Sequence, residues 1–76
     1  MSESTSPDAK LVRMANQIAI FFDSQAEGER LGGISGHINK FWEPRMRKRF
    51  FELVETENAG FQPIVREAAK LINRPK

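Results

Sequence analysis

The chain of 76 residues has no cysteine, no tyrosine, one histidine and no apolar run longer than the five residues from Ile18 to Phe22. Without cysteine there is no disulfide, no thiolate zinc site and no ligand for an iron–sulfur cluster, and one imidazole cannot build a histidine metal site. A membrane-spanning helix needs roughly 20 consecutive apolar residues, so no spanning segment is expected. Period-two alternation is not sustained anywhere, which leaves no candidate strand. The polar, acidic stretch from Met1 to Asp8 lacks the apolar centre of a secretory signal, so the expected location is the cytoplasm. No catalytic, cofactor-binding or metal-ligating residue is assigned, and no cofactor is expected in this chain.

What is present suits one small helical domain. The chain is 39% hydrophobic and 29% charged with a mean hydropathy of -0.51, values of a globular protein. A domain this small buries only about 60% of its unfolded surface, which argues against a large enclosed active site. The net charge is only +2, from 12 basic and 10 acidic residues. It is unevenly spread: Lys40, Arg45, Arg47, Lys48 and Arg49 fall within ten residues alongside Glu43 alone, between acidic stretches at 23–29 and 52–57.

Apolar periodicity and helix punctuation divide the chain into an all-α bundle of three to four short helices. Residues 1–6 read as a disordered tail and 7–76 as a single helical domain. Ser6, Pro7 and Asp8 form a helix start, because a serine oxygen can accept from free backbone N–H groups and proline at the first helical position loses no needed donor. The first helix is predicted from Pro7 to Ser24, with Leu11, Met14, Ala15, Ile18, Phe21 and Phe22 on its apolar face. Residues 25–33 read as a connection. A second helix follows from Leu31 to Trp42 despite Gly32, Gly33 and Gly36, each of which costs roughly 1 kcal/mol relative to alanine unless it admits something bulky close to the backbone. Pro44 turns the chain and opens a third helix to Thr56, with Met46, Phe50, Leu53 and Val54 as its stripe and Glu43–Arg47 as a favourable i,i+4 pair. Asn58, Ala59 and Gly60 end it. Gln62 and Pro63 open a fourth, with Ile64, Val65, Ala68, Leu71 and Ile72 on one face and Pro75 as its stop.

Several familiar chemistries find little support. Ser35 lies too close to His37 along a helix to form a nucleophilic pair. Glu52 and Glu55 share a surface without apolar surroundings to separate their acidities, so a solvated acidic face is expected. Gly32 to Gly36 has neither the preceding strand nor the following Lys-Ser/Thr of a phosphate loop. The basic third helix, entered through a short turn, could serve as a nucleic-acid recognition helix using Arg45, Arg47, Lys48 and Arg49. Low net charge and the apolar residues on that helix count against this alternative. Seven large rings, with adjacent pairs at 21–22, 41–42 and 50–51, exceed what one small core accommodates. Exposed rings beside arginines have the composition of a protein interface.

Two segments carry a family resemblance. The string from Leu11 to Phe22 and that from His37 to Arg47, above all Phe41-Trp42-Glu43-Pro44-Arg45-Met46-Arg47, resemble the small delta subunit of cytoplasmic NAD-dependent formate dehydrogenases. The stretch from Pro63 to Ala68 agrees. The glycine cluster at 32, 33 and 36 is richer than that family's pattern. In such enzymes an alpha subunit holds a molybdenum or tungsten pterin and iron–sulfur clusters, and other subunits pass electrons to NAD. The resemblance therefore implies a non-catalytic accessory subunit, without a cofactor of its own, that docks on the catalytic alpha subunit. The candidate contacts are His37, Phe41, Trp42, Pro44, Arg45, Met46 and Arg47, with Trp42 as buried anchor, and a second patch at Arg13 and Asn16.

Overall fold

The computed structural model describes residues 6–56 and 59–74. It contains four α-helices, α1 (Pro7–Phe21), α2 (Glu27–Phe41), α3 (Pro44–Val54) and α4 (Pro63–Ala68), the last continued by a single 3-10 turn, Ala69–Leu71. No strand occurs among the described residues, so the all-α reading holds. The predicted tail up to residue 5, Asn58 and the Pro75 stop lie outside the described residues.

The helix starts follow from local chemistry. Ser6 Oγ accepts from the Ala9 N–H at 3.1 Å, which satisfies one of the free donors of the first turn. Prolines stand at the starts of α1, α3 and α4. Trp42 and Glu43 are extended, with ψ of 134° and 156°, and Pro44 then begins α3, so the predicted turn is present.

Helix α2 begins four residues earlier than predicted. Ala26 precedes it without a side-chain cap, and Glu27 and Glu29 lie in its first turn, where negative charge favours a helix N-terminus. The glycines sit inside the helix, and one has a packing reason. A Cβ on Gly33 would lie 2.6 Å from the Phe22 ring, whereas Gly32 and Gly36 face open space. The ring of Phe22 thus occupies the place of a side chain, and the expected close approach occurs at Gly33 alone. The 25–33 connection shrinks accordingly to residues 22–26.

One core joins all four helices. Leu11, Ala15 and Ala19 enter it from α1, Ile34 and Ile38 from α2, Phe50 and Phe51 from α3, and Val65 and Ala68 from α4. Phe50 is its hub, with Trp42, Phe51 and Phe61 edge-on around it at centroid distances of 5.9, 5.5 and 5.2 Å. Both rings of the 50–51 pair are buried, while the 21–22 and 41–42 pairs each turn one ring outward.

Three apolar assignments are corrected. Met14 and Phe21 belong to an outer edge of α1, 39% and 76% exposed, because the core lies on the side of Leu11, Ala15 and Ala19. Leu71 is exposed as well, since the tighter 3-10 turn shifts the side-chain phase set by α4. The ends of α1 and α3 fall at Phe21 and Val54, short of the predicted Ser24 and Thr56.

Candidate functional site

A surface that combines an exposed ring with basic side chains lies where α2 turns into α3. His37 and Phe41 are one turn apart at the end of α2, and their rings stack at 4.7 Å between centroids with a 40° tilt. Phe41 is 63% exposed, and Lys40 Nζ lies 5.6 Å from its centroid, within cation–π range. The next residue takes the opposite direction. Trp42 is 5% exposed and packs on Phe50, so its ring is committed to this chain's own core. Adjacent helical residues diverge by about 100°, and at this corner the two rings part, Trp42 inward and Phe41 outward.

Two open depressions extend this corner along α1. The first, of about 380 Å³, lies between α1 and the end of α2, over Met14, Ile18, His37 and the edge of Trp42, with Lys10, Arg13 and Gln17 at its rim. The second, of about 460 Å³, lies between α1 and α3, over Pro7, Leu11, Met14 and Met46, with Asp8, Lys10, Arg45 and Arg49 around it. Met14 and Lys10 belong to both, so the two form one apolar face.

The rim charges differ in their commitments. Arg49 donates through Nε and Nη2 to the two oxygens of Asp8 at 2.8 and 2.6 Å, and through Nη1 to Glu52 at 2.7 Å. These hydrogen bonds hold the Asp8 carboxyl below its ordinary range, against some desolvation, and keep Arg49 firmly protonated. Lys10, Arg13 and Arg45 have no such carboxylate among the described residues.

His37, Phe41, Trp42, Arg45, Met46 and Arg13 therefore meet around one face, and Pro44 fixes the turn between them. Two predicted contacts point elsewhere. Asn16 donates to the Gly60 carbonyl at 3.0 Å and accepts from the Gln62 N–H at 2.9 Å, pinning the entrance of α4 to α1. Arg47 donates to the Asn73 carbonyl at 2.8 Å and makes that bond rather than the expected pair with Glu43. The basic run is accordingly divided. Lys48 lines a different depression with Phe51, Glu52, Glu55 and Arg74.

The enzymatic motifs resolve into structural roles. Ser35 Oγ donates back to the Leu31 carbonyl at 2.8 Å within α2. Glu52 is held by Arg49 at 2.7 Å, and Glu55 by Arg74 at 3.7 Å. Among the described residues no group of three His, Asp or Glu side chains converges as metal ligands would, and no helix is long and apolar enough to cross a membrane.

Sequence reasoning missed the central place of Lys10 and favoured the core for Met14, which belongs to the α1 turn with Arg13 and Asn16 that it marked as a second contact. Their signal was present: Lys10, Met14, Gln17 and Phe21 recur at steps of four, three and four, marking a second stripe beside the core-facing one.

No curated protein and no solved structure matches this chain. A family model does, over residues 10–69, which run from within α1 to the first residue of the 3-10 turn and include the lining of both depressions apart from Pro7 and Asp8. The chain belongs to that family, the NADH-dependent formate dehydrogenase delta subunit FdsD, and is thus related to a subunit of an enzyme complex.

Proposed function

We propose that this chain is a non-catalytic accessory subunit that docks on the catalytic subunit of its formate dehydrogenase and supports assembly, cofactor maturation or stability there. The observation that carries this reading is Phe41, a large ring 63% exposed at a corner that the fold holds rigidly through Trp42 and Pro44. A ring so placed gains about 2 kcal/mol or more when an interface covers it. Its value to a subunit is accordingly greater than its value to this chain's own fold. The anchor role expected of Trp42 passes to Phe41, and Trp42 supports the corner from within. The nucleic-acid alternative loses ground, since Arg47 and Arg49 of its four basic residues are engaged within the chain.

The test is affinity recovery of the tagged chain from its native cells grown on formate. Recovery of a large iron–sulfur, pterin-bearing subunit with formate-dependent NAD reduction supports the docking role. Recovery of nucleic acid, or of no large partner, overturns it.

A further inference from the structure

We infer that the face over the two depressions binds an amphipathic helix from another subunit of the complex, one whose apolar side is flanked by carboxylates. This deepens the docking reading and rests on it. The inference comes from the combination of an apolar floor and an uncompensated basic rim. Met14 is the shared floor, extended by Met46 on one side and by Ile18 and His37 on the other. Phe41 continues the floor past His37 through their ring contact. An elongated apolar groove between helices accepts the apolar side of a further helix, which presents side chains at steps of three and four.

The rim specifies the charge of that helix. Lys10, Arg13 and Arg45 surround the floor, and none has a carboxylate partner among the described residues. Asp8, the acidic residue lining the face, is already held by Arg49. The free charge on the rim is therefore positive, and its complement is Asp or Glu beside the apolar anchors. A second copy of this chain docking by two-fold symmetry would bring the same patch against itself, cations facing cations. That favours a different chain as the occupant.

The experiment places a photoreactive benzophenone side chain at Gln17, on the rim, or at Lys70, an exposed residue of the 3-10 turn outside both depressions. Each is incorporated into the tagged full-length chain within the assembled complex. The expected result is that the Gln17 probe joins a helix of another subunit with apolar residues at helical spacing and adjacent carboxylates, while the Lys70 probe joins none. In parallel, the double variant Arg13→Glu/Arg45→Glu binds the complex at least about tenfold more weakly, with the larger loss at low salt where repulsion is least screened. Arg13→Gln/Arg45→Gln falls between that variant and the natural chain. Both positions are exposed, and a glutamate at 45 sits in the first turn of α3, where it favours the helix, so an unchanged helical circular-dichroism spectrum is expected.

A Gln17 adduct in nucleic acid, in a second copy of this chain or in a segment without carboxylates overturns the inference. So does a silent Gln17 probe beside a reactive Lys70 probe, or a double variant that binds as tightly as the natural chain. If the unmodified tagged chain recovers no formate dehydrogenase subunit, the docking reading itself fails. If it recovers them while the Gln17 result is negative, only the assignment of this face fails.

Discussion

The surroundings of α4 and the face along α1 use the same residue types in opposite ways. Around α4, side chains from all four helices grip loop backbone. Asn16 of α1 holds Gly60 and Gln62. Asn39 of α2 donates to the Leu71 carbonyl at 3.3 Å and accepts from the Asn73 N–H at 2.7 Å. Arg47 of α3 also reaches Asn73. Arg66 of α4 donates to the Val54 and Thr56 carbonyls, tying α4 to the end of α3 and the turn after it. Along the other face, Lys10, Arg13 and Arg45 surround the apolar floor and make no such bonds among the described residues. A short helix such as α4, six residues long, has little stability of its own and is held by tertiary grips. The longer α1 and α2 are held through their buried sides, Leu11, Ala15 and Ala19 on one and Ile34 and Ile38 on the other, which leaves their outer side chains available to a partner.

The largest effect expected on this contrast is at the core both regions share. Phe50→Ala removes the hub of four rings and costs about 3–5 kcal/mol, enough to unfold a domain of this size; thermal denaturation followed by circular dichroism reads it. Next is Phe41→Ala, which separates the two regions. It weakens association with the complex by about 2 kcal/mol or more while changing the chain's own stability by no more than about 0.5 kcal/mol. A loss of stability equal to the loss of binding would place Phe41 with the fold instead.

Asn39→Ala does the reverse, costing about 1–2 kcal/mol in urea denaturation through two backbone groups left without their partner, with binding affected only as far as folding is. Within α2 the glycines give a finer test. Gly33→Ala drives a methyl group into the Phe22 ring and loses about 1 kcal/mol or more, whereas Gly36→Ala meets nothing and gains up to about 1 kcal/mol. The smallest effect is that of Asp8. Its acidity is strengthened by Arg49 in the folded chain, so its contribution is present above the ordinary carboxylate range and is lost as pH falls through the lowered folded value. Stability of Asp8→Asn and of the natural chain should therefore converge in acid, and equal stabilities at neutral pH would remove the Asp8–Arg49 pair from the account.

The parts of this fold that depend on neighbours in sequence were legible. Ser6 caps, Pro44 turns the chain, and the stripe through Leu11 and Ala15 faces the core. What depends on tertiary geometry was not. The early start of α2 is supported by the packing of Phe22 over Gly33, which offsets a glycine cost that local propensity alone counts in full. The division of Phe41 and Trp42 between outside and inside depends on where α3 places Phe50. Asn16 and Asn39 meet backbone 44 and 34 positions away, and nothing in their sequence neighbourhood announces it. The candidate face was half legible: its arginines and rings are concentrated between His37 and Arg47, but the contribution of α1 emerges only when Lys10 and Met14 are seen to serve both depressions.

The central claim is that Phe41 and its surroundings are covered in the assembled enzyme while the surface around α4 is not. Hydroxyl-radical footprinting of the intact complex tests it most directly, by comparing Phe41 with Leu71, which are 63% and 54% exposed in this chain. The account predicts that Phe41, Met14 and Met46 are protected from oxidation and Leu71 reacts freely. Free oxidation of Phe41 and Met14 beside a protected Leu71 would contradict it.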